Sequence, residues 1–138
     1  MKKIVGGIAV AVGLMSTPAF GMGTVATIER DTVEYVKAFD QFVSGDVSKI
    51  TNRQLATYAA FTGAYDGSIA AMKMLACVPE RDVIPIIVDK DDHQVMIFIL
   101  STIVDIRNEG KLNPSTRNTE AIGYVISLMY DCSNRSGR

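Results

Sequence analysis

The sequence predicts an all-α fold: a small four- to five-helix bundle with one internal disulfide. Three observations carry this expectation. Apolar residues recur at spacings of three and four over most of the chain, and no stretch alternates strongly enough to compete as a strand. Capping-box spacings stand before three of the periodic stretches, at Asp31/Glu34, Thr51/Gln54 and Asp91/Gln94. The two cysteines, Cys77 and Cys132, both follow a segment that reads as an export signal.

That segment occupies residues 1–21. Lys2 and Lys3 supply the positive start, an apolar run of 12 residues extends from Ile4 to Met15, and Ala19 and Gly21 fit the small positions of a cleavage site. The expected cut follows Gly21, with a cut after Ala19 as the alternative. The run is too short for a bilayer core of roughly 30 Å, which takes about 20 apolar residues, so no stable membrane anchoring is expected after cleavage. The expected location is the periplasm. Removing residues 1–21 leaves a single domain, 22–138, of 117 residues, with 12 basic against 15 acidic side chains. Such a domain buries roughly two thirds of its unfolded-chain surface, enough for one core.

An oxidising compartment makes pairing of Cys77 with Cys132 the expected state. The bond would close a loop of 55 residues and, by the chain-entropy estimate, contribute about 4 kcal/mol. The alternative is a reactive Cys77 with His93 as its base.

In the mature part, helix one is expected to start at Asp31 and end at Gly45, with a stripe of Tyr35, Val36, Phe39, Phe42 and Val43. Residues 22–30 read either as a loose arm or as an extra helical turn. Helix two follows the cap at Thr51, with Leu55, Tyr58, Thr62, Tyr65, Ile69, Met72 and Ala76 on one face. A second line on it is small: Ala59, Gly63, Gly67 and Ala71. Because Gly inside a helix costs about 1 kcal/mol against Ala, Gly63 and Gly67 suggest helix close-packing. Pro79 breaks the helix, and a connector leads through Ile84–Val88 to the charged run Asp89–Asp92. Helix three, about 92–109, is apolar nearly all round, as a central or oligomer-interface helix is. Gly110 stops it. Asn113-Pro114 then reads as a cap with Pro at the first position of helix four, whose stripe of Ile122, Val125 and Met129 leads to Cys132.

The composition excludes several functions. With 14 basic and 15 acidic residues the chain lacks the basic stripe of a nucleic-acid binder. One His and two Cys cannot complete a four-ligand zinc site without carboxylates, and there is no phosphate-cradling glycine loop or haem-attachment motif. No cofactor and no catalytic set are expected, and the chain reads as a non-enzyme. His93 is expected to be solvated or to cap helix three. The five tyrosines read as core or interface residues.

The segment Tyr58-Ala59-Ala60-Phe61-Thr62-Gly63-Ala64-Tyr65-Asp66-Gly67, followed by Cys77-Val78-Pro79 and by Cys132 at the end of the last helix, resembles the Rap/Tai-type immunity proteins of type VI secretion systems. The likeness spans residues 51–132. It implies a helical periplasmic protein with one internal disulfide, commonly a homodimer, that binds a secreted peptidoglycan amidase and occludes its active-site groove without chemistry of its own. The chain departs from the family pattern in a longer connector over 81–92 and in Asp131, where Pro is expected. The family motif marks fold residues, so the expected partner-binding residues come from position instead: Asp89, Asp91, Asp92 and His93, at the end of an exposed polar connector. The competing expectation is an acid-stress chaperone, which loosens and exposes apolar surface when its carboxylates protonate.

Overall fold

A computed structural model of the chain describes residues 23–80 and 91–133. The export segment, the apolar piece 84–88, Asp89 and the tail beyond Ser133 lie outside the described residues. Four α-helices form the bundle: α1 (Ile28–Ser44), α2 (Asn52–Met74), α3 (Asp92–Asn108) and α4 (Asn118–Leu128). Two short strands, β1 (Val78–Pro79) and β2 (Tyr130–Asp131), pair antiparallel. α2 packs against both α1 and α4, while α3 packs against α4 and α1. Phe61, Ile99, Ile103 and Ile122 are fully buried where these helices meet. Among the described residues, no helix is long and apolar enough to cross a membrane.

Local chemistry sets the helix ends. The Thr51 hydroxyl accepts from the Gln54 amide and the Gln54 side chain accepts from the Thr51 amide, each at 3.1 Å, so two amides that would otherwise lack partners are satisfied. Gly45 (φ 82°) and Gly110 (φ 76°) end α1 and α3 in the left-handed conformation that only glycine enters at no steric cost. Ala76 takes the same conformation after α2 (φ 61°), which turns the chain so that the Cys77 amide donates to the Met72 carbonyl at 3.0 Å.

Cys77 and Cys132 are bonded to each other, with Cα atoms 4.2 Å apart. The bond continues a ladder. Val78 pairs with Asp131 and Pro79 with Tyr130, and the Glu80 amide donates to the Met129 carbonyl at 2.8 Å. The disulfide is therefore the outer rung of a short ribbon that ties the end of α2 to the end of α4. Asp131 accepts from the Ser133 amide at 2.8 Å and turns the chain as β2 ends.

Four expectations are corrected. α1 begins at Ile28, not at Asp31, because residues Val25–Thr27 form a 3₁₀ turn that feeds directly into it. Asp31 is consequently an interior residue, 4% exposed, which accepts a 2.8 Å hydrogen bond from the Asn118 side-chain amide across the bundle. The longer helix moves the buried line to Ile28, Asp31, Tyr35 and Ala38, and Phe42 and Val43 are left exposed. In α2 the most buried line is Thr57, Phe61 and Tyr65, because the helix has neighbours on two sides and its inner face is broad. Leu55, expected inside, is exposed.

Helix four does not start at Pro114. The Asn113 side chain closes a turn by accepting from the Ser115 amide at 2.9 Å, and the carbonyls of Pro114 and Thr116 accept from the amides of Ala26 and Val25. With these carbonyls given to the N-terminal arm, the helix begins only at Asn118. Nor are Gly63 and Gly67 close-packing positions among the described residues: a Cβ at either would meet none of them within 4 Å. Both lie on the outer face of α2, as do Ala59 and Ala71.

Candidate functional site

The N-terminus of α3 is held by a second complete capping box. Asp91 accepts from the Gln94 amide at 2.8 Å, and Gln94 accepts from the Asp91 amide at 3.2 Å. The box fixes the direction of the next two side chains, Asp92 and His93. Asp92 accepts a 3.1 Å hydrogen bond from the Tyr65 hydroxyl of α2. His93 turns towards α1, where its ring lies against Phe39 with centroids 3.6 Å apart and planes 7° from parallel.

Tyr35 joins the three helices. Its ring stacks on Tyr58 at 5.3 Å and on His93 at 5.8 Å, and its hydroxyl lies 3.4 Å from His93 Nδ1. With the phenol as donor, Nδ1 is the acceptor and a neutral ring carries its proton on Nε2. Burial, together with the neighbouring Tyr58, Asp91 and Asp92, pushes the Tyr35 phenol up to about 12. Burial, followed by the Asp92 carboxylate, also raises the Tyr65 phenol well above its ordinary range. Both remain protonated donors at neutral pH.

These side chains surround a cleft of about 330 Å³ between α1, α2 and the start of α3. Tyr35, Phe39, Tyr58 and Tyr65 supply aromatic walls, and Asp66 and Asp92 supply carboxylates. Thr62 also lines it, but its hydroxyl donates back to the Tyr58 carbonyl at 2.8 Å. Tyr65 reaches further: it also borders a small apolar pocket with Met129 and Tyr130, beneath the ribbon.

No protein-family model, curated protein or solved structure matches the chain.

Of the four residues expected to meet a partner, Asp92 and His93 line the cleft, Asp91 caps the helix beside them, and Asp89 lies outside the described residues. His93 does not act as the cap. Asp91 does, and His93 is stacked instead of solvated. Cys77, bonded to Cys132, offers no thiol to His93, so a Cys–His pair is not formed. Among the described residues, no group of three or more His, Cys, Asp or Glu is placed to hold a metal ion. The sequence predicts Tyr35, Phe39, Tyr58 and Tyr65 in the core or at an interface, not around a cleft. The available signal was aromatic spacing of three and four on two adjacent helices, but spacing alone does not separate a filled seam from an open one.

Proposed function

We propose that the chain is an exported, disulfide-clasped immunity protein that binds a peptidoglycan amidase delivered by type VI secretion and covers its active-site groove, protecting the producing cell. The observation that carries this reading is the Cys77–Cys132 bond, which seals the Cys77-Val78-Pro79 corner onto the end of the last helix. That is the arrangement the family resemblance implies, and a covalent bond of this kind belongs to an oxidising compartment such as the periplasm. The mechanism is occlusion by a rigid scaffold. The clasp holds the end of α2 to the end of α4, and the capping box at Asp91 holds the start of α3.

The test is inhibition. Residues 22–138 are titrated into a cell-wall hydrolase encoded beside this chain, and release of peptide from purified peptidoglycan is followed. A stoichiometric loss of activity is expected. Full activity under an excess of the folded protein overturns the reading.

A second reading, an acid-stress chaperone, draws on one contact. Arg107 pairs with Glu29 and also donates to the Val25 carbonyl at 3.0 Å, pinning the N-terminal arm over the core. Protonation of Glu29 would weaken that latch.

A further inference from the structure

We propose that the cleft between α1, α2 and the start of α3 is a binding site for a cationic side chain, best an arginine, presented by a protein partner. The proposal rests on the immunity reading only for the source of that arginine. The site's preference for a cation follows from its own chemistry.

Its walls are mostly aromatic, and its charged groups are two carboxylates beside His93 and Thr62. Tyr35, Phe39, Tyr58 and Tyr65 line it, and Asp66 and Asp92 border it, while among the described residues no Lys or Arg lines it. Tyr35 is stacked on Tyr58, Phe61 and His93, and Phe39 on His93, so an entering guanidinium would meet the outer side of this ring cluster. Aromatic rings attract a cation within about 6 Å of the centroid, and a guanidinium also pairs with a carboxylate in its plane. One of the carboxylates is already aimed, since Asp92 is held by the Tyr65 hydroxyl and by its place at the helix start. Its second oxygen has no hydrogen bond to Tyr65 and is open to a donor. A cleft of about 330 Å³ is large enough for a whole arginine side chain. The walls are largely ordered in advance: Tyr35 is 2% and Tyr65 7% exposed, so binding costs little side-chain entropy there. An anionic group would meet two like charges in the same space, and an apolar one would strip water from both carboxylates without replacing it.

The sequence contains a single histidine, and it lines the cleft, so the two carbon-bound ring protons of His93 give an unambiguous NMR reporter. The folded 22–138 chain is titrated with N-acetyl-arginine amide, with free arginine, and with N-acetyl-citrulline amide, an uncharged near-isostere. A saturable His93 shift in the millimolar range is expected with N-acetyl-arginine amide and none with citrulline. The exposed Asp66→Asn variant, checked for native near-UV dichroism, is expected to weaken binding about tenfold, and Asp66→Asn combined with Asp92→Asn to abolish it. Equal shifts with citrulline, no saturable shift, or unchanged binding in the folded Asp66→Asn variant would overturn the site. Binding of free arginine alone would overturn the protein source. Hydrolase inhibition that survives Asp66→Asn with Asp92→Asn would leave the immunity reading standing and remove the arginine from its interface, so the two failures are distinguishable.

Discussion

The ring of His93 lies flat on that of Phe39, 3.6 Å between centroids and 7° between planes. This contact joins the first turn of α3 to the middle of α1 and builds one wall of the cleft. Stacked aromatic pairs are worth about 0.5–1.5 kcal/mol beyond their area, and Phe39 also covers apolar surface. Phe39→Ala is expected to lower stability by about 1–3 kcal/mol in urea denaturation. It should also return the His93 ring protons towards their unstacked chemical shifts. Unmoved His93 signals in a folded Phe39→Ala protein would refute the stack.

The ribbon makes a larger prediction. Replacing both cysteines with serine releases a loop of 55 residues and is expected to cost about 4 kcal/mol. Equilibrium denaturation of oxidised wild type against the double variant reads this directly. A difference below about 1 kcal/mol would show that the clasp is not a main support of the fold.

Asp31 and Asn118 form a buried polar pair. Asn118→Ala would leave the carboxylate without its inner donor, at an expected cost of about 2–3 kcal/mol. Gly23 packs against the same pair. A Cβ there would stand 2.0 Å from Asp31 Oδ2, so Gly23→Ala is expected to destabilise by about 1–3 kcal/mol. Thermal melts of both variants test the arrangement, and an unaffected Gly23→Ala would contradict it.

Gly63 and Gly67 predict the opposite sign. Among the described residues nothing packs on their outer face, so Gly63→Ala and Gly67→Ala should each stabilise an isolated chain by up to about 1 kcal/mol. A pair of chains meeting along Ala59, Gly63, Gly67 and Ala71 would instead lose affinity. Denaturation combined with sedimentation of the double variant separates these outcomes. Stabilisation with no change in association would remove this face from any homodimer.

Acid acts through Glu29. The Arg107 guanidinium holds its carboxyl at about 2, against 4.5 for the free group. A depressed carboxyl contributes stability that is fully present above its unfolded value and is lost as pH falls through its folded value. The wild type is therefore expected to lose stability between pH 4.5 and 2, and its advantage over Arg107→Ala to narrow over the same interval. Near-UV dichroism should persist at pH 2. Its loss with far-UV signal retained would favour the chaperone reading over the immunity one.

Much of the fold was legible because local signals coincided with it. The boxes at Thr51 and Asp91 and the stops at Gly45 and Gly110 each act over a few residues, and each stands where expected. α2 ends at Met74, short of the Ala76 expected on its face, because Ala76 turns left-handed ahead of Pro79. Asp31 and Pro114 show where local reading fails. Each sits in a motif that can start a helix, but the arm at 23–27 hydrogen-bonds to the loop at 114–118 and overrides both. That is a contact between segments some 90 residues apart, which periodicity does not encode. The same limit hid the cleft. Asp91, Asp92 and His93 were singled out as a polar connector's end, whereas Phe39, Tyr58 and Tyr65 read as ordinary seam residues until α1, α2 and α3 were brought together.

Export with clasp formation is the claim on which the rest depends, and intact-mass analysis of the chain recovered from the periplasmic fraction, after alkylation without reductant, tests it most directly. The account predicts the mass of residues 22–138 less two hydrogens, with no alkyl group added. A mass that retains residues 1–21, or that carries two alkyl groups, would contradict it.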